Sequence, residues 1–515
     1  MIASALVNSR RKSLQLITAA VVVLLGVRVF YLFVRYILGS TTTQRFHVES
    51  AALIFLAVGL IVRLVRSRRS EPEPTMSTTL PRFLWVFFCG LAVALYWPAL
   101  TVGFLSDDFV LLTYASSWNI GPVTASLFRP IPLFIWAVVL QAGSGSTLLH
   151  LLNVLLHGAN AYLTTRLVQG WTRNRTWSVL AGLLVLTAPL APEAVVWLSG
   201  VFDVLAATLV LTCILIARRY ERHLSPATRI QFVAVGIAAA GSKETAAVAV
   251  GLVLIDAWAR RVVSRTLLID TGILAAIVGV FGFIRLASAF GLVRPPLTKY
   301  VAQRAIFGSF GGLAVPWHID VIHRFSWMPL IGVVILVYLL IVFFLDPDRS
   351  SQRSKLAVAA ALWVLVSILP VFPILFIGPD LQQSRYLYLP MTGWAALIAV
   401  IAGAGNRSYL KPLSYAAVVG LIVIAACGTV LHLRPWKEAA RLRGMVEASA
   451  VDLQMSKCPT ATLSDLPDSV DGAYVFRNGG TEAFARDLHV NAVLGDSASG
   501  RCVFRWSDSE FSFVQ

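Results

Sequence analysis

The chain has 515 residues, of which 57% are hydrophobic and only 13% charged. Soluble domains carry about 25% charged residues, so a wholly water-facing globule is excluded. The formal net charge of +17 does not point to nucleic acid, because Lys and Arg stand in short runs between apolar segments, as expected of cytoplasmic membrane loops.

Apolar stretches close to the ~20 residues that cross hydrocarbon recur from Leu14 almost to Leu433. Arg10, Arg11 and Lys12 place the N-terminus in the cytoplasm, ahead of a first span over 14–38. That run is too long for a signal-peptide core and lacks a small-residue cleavage site. A second span, 50–65, leads into the basic run Arg63, Arg66, Arg68 and Arg69 and the linker Glu71-Pro-Glu-Pro74. A third span, 84–100, leaves on the outer side. The outer stretch Gly103 to Ser146 carries Asp107, Asp108 and Phe128-Arg-Pro-Ile-Pro132. Its apolar piece Ile131 to Gln141 is too short to cross and reads as a helix on the outer surface.

From there the signs of the loops alternate. Spans are expected at 148–168, 177–190, 202–216, 230–240, 246–258 and 267–290. A long outer loop, Gly291 to Arg324, contains Lys299 and Arg304. Spans at 328–345, 356–377, 386–402 and 413–431 follow. The total is about 13, an odd number, which puts the C-terminus outside. The tail reads as a helix over 437–455 and strands at 473–476, 501–504 and 510–513, separated by Gly and Asp turns. The expected fold is therefore an all-α polytopic membrane protein with a small α+β C-terminal extracytoplasmic domain. The expected division is 1–75 (two extra spans and a basic linker), 76–433 (membrane core) and 434–515 (outer domain). Cys89, Cys213 and Cys427 read as packing residues. Cys458 and Cys502 lie in an oxidising compartment and are candidates for a disulfide.

Charges at membrane depth are costly and usually functional. Asp107, Asp108, Arg129, His150, Asn153, Glu193, Asp203, Lys243, Glu244 and Arg385 come from distant parts of the chain, yet all fall at the outer level. Each has a plainer reading. The Asp pair could be a solvated turn, Arg129 a helix cap, and His150 with Asn153 a helix–helix hydrogen-bond pair. Glu193 and Asp203 could be ion-pair partners of Lys243, and Arg385 could snorkel. Against the first, Asp107-Asp108 is embedded between Phe104-Leu105 and Phe109-Val-Leu-Leu112, and adjacent carboxylates repel, raising one pKa. One could then serve as a general base, or both could bind a metal. Outward cations and carboxylates beside a bilayer suit a lipid-phosphate substrate: Arg or Lys holds the phosphate and a carboxylate deprotonates an acceptor hydroxyl.

At these residues the chain resembles the GT-C superfamily of polyprenyl-phosphate-dependent glycosyltransferases, in particular the protein O-mannosyltransferases and the membrane part of the transmembrane-and-TPR O-mannosyltransferases. The resemblance rests on Asp107-Asp108, Phe128-Arg-Pro-Ile-Pro-Leu133, His150-Leu-Leu-Asn-Val-Leu-Leu-His157, Pro192-Glu-Ala-Val-Val196 with Gly200 and Asp203, Lys243-Glu244, and Ser384-Arg-Tyr-Leu-Tyr-Leu-Pro390. It runs over about 84–431, with the pieces in the family's order. It implies an inverting transfer of sugar from a polyprenyl-phosphate donor to a protein, glycan or lipid acceptor, with Asp107 or Asp108 as base. Arg129, Lys243 and Arg385 are implied at the donor phosphate. His150, Asn153, Glu193, Asp203, Glu244 and Tyr386 are implied as supporting or substrate residues. A divalent cation, Mg or Mn, is used in part of the superfamily and would fall to Asp107 and Asp108. The chain departs from the pattern in its two extra N-terminal spans, its loop 291–324 and its lack of a TPR array, which the small outer domain replaces. That domain could bind an acceptor or a partner subunit. The setting implied is a bacterial inner membrane with a periplasmic C-terminus. Two other readings remain open: a catalytically silent GT-C-like subunit of a larger complex, and a transporter of lipid or solute. Against the transporter stand the lack of an inverted repeat and the one-sided charges.

Overall fold

The computed structural model describes residues 83–120, 129–143, 145–221, 225–288, 308–346, 351–371, 377–403, 410–495, 502–507 and 510–513. The expected spans at 14–38 and 50–65, the basic linker, Phe128, Lys299 and Arg304 lie outside them.

The described chain is mostly helical, with a small sheet near its C-terminal end. The helices used below are α1 (Leu84–Leu95), α2 (Asp108–Ser116), α3 (Pro130–Gln141), α4 (Ser146–Thr172), α5 (Arg175–Leu186), α6 (Val201–Ala217), α7 (Pro226–Ala240), α8 (Ala249–Arg260), α9 (Arg265–Ser288), α10 (Trp327–Leu345), α11 (Ser351–Ile368), α12 (Tyr388–Ala402), α13 (Leu410–His432), α14 (Arg434–Asp452) and α15 (Gly480–Asp487). Four helical segments among the described residues are long and apolar enough to cross a membrane: Leu198–Tyr220, Trp327–Leu345, Ser384–Ala402 and Lys411–Asp452. The expected count of spans is larger. Part of the gap is α4, which has 27 residues but carries too much polar side chain to pass as apolar. His150, Asn153, His157, Asn160 and Thr164 lie on one of its faces, at spacings of three or four, and all are buried. Polar side chains on a membrane helix turn inward because lipid offers them no partner.

Local chemistry sets several helix starts. Pro130 and Pro226 occupy first-turn positions, where a missing N–H costs nothing. Asn174 caps α5 by accepting the Trp177 N–H at 3.2 Å, and Ser225 caps α7 by accepting the Thr228 N–H at 3.2 Å. Helix α4 is the spine of the bundle, packed on α1, α5 and α6. Gly158 lets α1 approach closely, since a Cβ there would sit 2.7 Å from Cys89 Cα.

The two ends of the bundle differ in chemistry. At the far end, buried Asp256 accepts from Trp171 Nε1 at 2.8 Å, Arg218 Nη2 at 2.6 Å and Arg260 Nε at 3.0 Å. There Asp270 also accepts from Tyr220 Oη at 2.7 Å and Arg229 Nη2 at 2.7 Å. These pins close α4, α6, α7, α8 and α9 together. The other end carries the expected site residues.

The C-terminal lobe holds a four-stranded sheet and a short hairpin. The strands are β1 (Ala461–Ser464), β2 (Ser469–Val470), β3 (Ala473–Tyr474), β4 (Ala492–Leu494), β5 (Val503–Ser507) and β6 (Glu510–Phe513), with the larger sheet ordered β4-β1-β5-β6. Strand β1 lies parallel to β4 and β5, and β6 returns antiparallel to β5 with Phe504 opposite Phe513. Cys458 and Cys502, just ahead of β1 and β5, form a disulfide. The sequence patterns point to strands near 473, 503 and 510 but not to β1. All four residues of β1 are buried, so it shows no alternation of polar and apolar residues. Helix α14 continues from α13, and the residue 434 boundary falls inside one helix, Lys411–Asp452. The apolar core is likewise continuous, running from Phe88 in α1 to Phe484 and Phe511 in the lobe.

Candidate functional site

The site is built on two turns. The first, Gly103–Asp108, enters α2. Ser106 there has φ +51°, a left-handed conformation that a non-glycine residue holds only when its surroundings enforce it. Asp108 is fully buried. Its Oδ2 accepts the Leu105 N–H at 2.9 Å, and its Oδ1 accepts the Ser199 N–H at 2.8 Å and the Ser199 Oγ–H at 2.5 Å. Burial pushes its carboxyl up to about 7, the three hydrogen bonds hold the rise back, and the neighbouring Asp107 adds a little repulsion. Asp107 is half-buried, and its Oδ1 accepts from Asn478 Nδ2 at 2.6 Å and Ser106 Oγ at 3.4 Å. The adjacent carboxylates therefore have separate partners, one inside the bundle and one in the C-terminal lobe.

The second turn, Pro192 to Gly200, links the carboxylates to the cations. Trp197 Nε1 donates to the Leu105 carbonyl at 3.2 Å, and Ser199 holds Asp108. The same indole lies 4.7 Å from the Arg385 guanidinium. Arg385 pairs with buried Glu193, which also accepts from Ser384 Oγ at 3.1 Å, the Arg385 N–H at 3.0 Å and Tyr474 Oη at 3.2 Å. Tyr386 stands between two cations, its ring 5.0 Å from Arg385 and 4.8 Å from Lys243 Nζ.

Lys243 pairs with Asp203 in the first turn of α6, and both are buried. Arg129 forms a two-pronged pair with Glu244 at 3.0–3.2 Å and lies 4.8 Å over the Phe202 ring. The Ile131 N–H donates to the Gly241 carbonyl at 3.3 Å, which joins the start of α3 to the turn bearing Lys243. Arg129, Lys243 and Arg385, widely separated in sequence, thus meet at one end of the bundle, each with its own carboxylate. Among the described residues, Nη1 of Arg129 and Nε and Nη2 of Arg385 make no hydrogen bond, and Lys243 Nζ uses one of its three donors.

His150 and Asn153 do not bond to each other. His150 Nε2 meets the Gly103 carbonyl at 3.0 Å, while Asn153 Nδ2 donates to the Trp197 and Leu198 carbonyls at 3.3 and 3.4 Å. They hold the two turns in place rather than touching the ion pairs. One turn of helix deeper, His157 bonds Tyr388 Oη at 2.7 Å and the Leu186 carbonyl at 3.0 Å, and Asn160 donates to the Val204 carbonyl at 2.9 Å. Among the described residues no three or more His, Cys, Asp or Glu side chains gather as a metal site. Sequence patterns alone miss Ser199, Trp197, Tyr474 and Asn478. The signal for Ser199 is a lone hydroxyl between Trp197-Leu198 and Gly200; for Asn478 it is an Asn-Gly-Gly turn.

No family model matches the chain, and no curated protein matches it. Solved structures do. The archaeal oligosaccharyltransferase AglB from Archaeoglobus fulgidus, in complex with an inhibitory peptide and a dolichol-phosphate, is similar at 11% identity and TM-score 0.42, over 80% of this chain and 64% of that one. An Archaeoglobus fulgidus oligosaccharyltransferase tethered to an acceptor peptide containing the NVT sequon gives 13% and 0.41, over 74% and 61%. ArnT from Cupriavidus metallidurans in the apo state gives 13% and 0.40, over 80% and 86%. The chain thus spans less than two thirds of either oligosaccharyltransferase. AglB and ArnT are both glycosyltransferases of the GT-C superfamily, and it is to these that the chain is similar.

Proposed function

We propose that the chain is an inverting membrane glycosyltransferase that moves a sugar from a polyprenyl-phosphate donor to an acceptor hydroxyl on the outer face. One observation carries the reading: Lys243 and Arg385 flank the Tyr386 ring, Arg129 pairs with Glu244 next to Lys243, and the Trp197 indole ties Arg385 to the loop that bears Asp107. Their unused N–H groups receive the donor phosphate, and their carboxylate partners hold them in place beforehand. Asp107 is the base, because Asp108 is enclosed by Ser199 and Leu105. The acceptor oxygen attacks the anomeric carbon opposite the phosphate, its proton passes to Asp107, and the carbon–oxygen bond to phosphate breaks. The electron pair leaves on the phosphate oxygen, where the cations stabilise it. Asp108 sets the turn that aims Asp107. Both Asp108 oxygens are engaged by Ser199 and Leu105 and Asp107 Oδ1 by Asn478, so among the described residues the pair offers a divalent cation one open oxygen, Asp107 Oδ2, and no step is routed through a metal.

Orientation follows from charge. The far end carries Arg166, Arg173, Arg175, Arg218, Arg260 and Arg261, which the positive-inside rule assigns to the cytoplasm. The site end and the lobe, with its disulfide, then face an oxidising compartment such as the periplasm. The division into an N-terminal addition, a membrane core and an outer lobe belongs to the same proposal.

A second reading has its own support. Each cation is already neutralised by a carboxylate, as suits a catalytically silent GT-C-like subunit. The test is to incubate the purified protein with labelled polyprenyl-phosphate sugars, with and without Asp107→Asn. Donor cleavage that disappears in the variant supports the enzyme; none from any donor favours the silent subunit.

A further inference from the structure

The segment 474–479 of the C-terminal lobe touches both halves of the site. At its start, Tyr474 Oη lies 3.2 Å from Glu193 Oε1 and 3.2 Å from Arg385 Nη1. Four residues on, Asn478 Nδ2 donates to Asp107 Oδ1 at 2.6 Å. Backbone contacts fix the register on either side of Asn478. The Ser106 N–H donates to the Val475 carbonyl at 2.8 Å. Gly479 presses on the same residue so closely that a Cβ would sit 2.0 Å from the Ser106 carbonyl oxygen. Glycine is therefore required here for a close approach. Arg443 in α14 adds a third tie, donating from Nη1 to the Phe104 carbonyl at 2.9 Å. The left-handed Ser106 and the carboxylate after it are thus held from the lobe, not from the bundle alone.

We infer that Asn478 is a positioning residue for Asp107, so that the C-terminal lobe completes the catalytic centre. The inference rests on the reading of Asp107 as the base. A carboxylate on a surface turn samples several rotamers, and a base must stand within hydrogen-bond reach of its proton. An amide donor on Oδ1 fixes the rotamer and leaves Oδ2 for the acceptor. Being neutral, it does so without the counter-charge that Lys or Arg would bring. The remaining strap contact, through Tyr474, lies on the donor-phosphate side. The two ends of the segment therefore tie the base to the cation that stabilises the leaving group.

The test uses the full chain in lipid nanodiscs and a short-chain polyprenyl-phosphate monosaccharide, following its cleavage to free sugar with water as acceptor. Asn478→Ala and Asn478→Asp are each compared with the wild type for kcat and donor KM. A cycle of thermal midpoints is measured for Asn478→Ala, Asp107→Asn and the double variant. The expected result is a fall in kcat of tenfold or more in both Asn478 variants, with donor KM within twofold, and midpoint shifts that do not add. An active wild type with unchanged kcat in Asn478→Ala overturns the role of Asn478 and leaves the function standing. Additive midpoint shifts overturn the contact itself. No cleavage by the wild type overturns the reading of Asp107 as a base, and the role of Asn478 with it.

Discussion

Asp108 Oδ1 accepts from both the backbone N–H and the hydroxyl of Ser199, at 2.8 and 2.5 Å, across 91 residues of sequence. Among the described residues no cation pairs with this carboxyl, and burial pushes it up to about 7. In the unfolded chain it titrates near ~3.9. Between those values the folded state keeps a proton that the unfolded state has released. The contribution to stability is therefore complete below about pH 4 and lost as pH rises through about 7, at up to about 1.4 kcal/mol per pH unit. Thermal midpoints of the protein in detergent, taken from pH 4.5 to 8, should decline through this window from this group. Asp108→Asn should flatten the decline, and parallel profiles for the two proteins would remove Asp108 as its source.

The two adjacent aspartates should separate by phenotype. Asp107 is half-buried and meets the lobe through Asn478, whereas Asp108 builds the turn. Asp107→Asn should keep the wild-type thermal midpoint within a few degrees and lose donor cleavage by about 10²–10⁴-fold, the range for a general base. Asp108→Asn turns an amide N–H toward the Leu105 N–H or the Ser199 donors and should lower the midpoint as well as activity. The reverse pattern, a stable inactive Asp108 variant beside an active Asp107 variant, would exchange their roles.

The Lys243–Asp203 pair is buried on both sides. Removing one member of such a pair strands the other charge, at about 3–5 kcal/mol. Asp203→Asn should therefore destabilise the protein strongly. Asp203→Leu combined with Lys243→Met should recover much of the midpoint, because an apolar pair of similar volume avoids the desolvation cost. The double variant should stay inactive, since the proposed donor-phosphate site includes Lys243. Activity in it would remove Lys243 from the site.

Much of the proposed site is legible in the sequence, and the reason is physical. Charges in an apolar chain are few, and each must be at a helix end or be paired, so Asp203, Lys243, Glu244 and Arg385 stand out by rarity and by their shared outer level. What the sequence does not show is partnership. Glu193 pairs with Arg385 and Asp203 with Lys243, a choice of partner that hydropathy does not encode. Ser199, Tyr474 and Asn478 are ordinary residues in ordinary turns, and they matter only because distant backbone brings them to Asp108, Glu193 and Asp107. His157 and Asn160 stood in plain view on α4, but their targets, the Leu186 and Val204 carbonyls, become visible only once helices α5 and α6 are packed against it.

Arg385 offers the sharpest test of the donor phosphate site. Its guanidinium lies 4.7 Å from the Trp197 ring, 5.0 Å from Tyr386 and 5.8 Å from Tyr474, while its Nη1 is taken by Glu193 and Tyr474. Aromatic walls suit a planar, weakly hydrated cation and leave Nε and Nη2 to grip phosphate oxygens. Lysine keeps the charge but has no plane to stack and no second nitrogen for the phosphate once one ammonium faces Glu193. Arg385→Lys should therefore weaken binding of a short-chain polyprenyl phosphate by tenfold or more, measured by calorimetry in detergent, with a smaller loss of thermal midpoint. Glu193→Gln should act differently. It leaves the guanidinium in its aromatic slot without a counter-ion, so the midpoint falls, yet an added polyprenyl phosphate should restore more of that loss than it does in the wild type, because the phosphate supplies the missing charge. Equal lipid-induced midpoint gains in the wild type and Glu193→Gln would mean that Arg385 and the lipid phosphate do not meet.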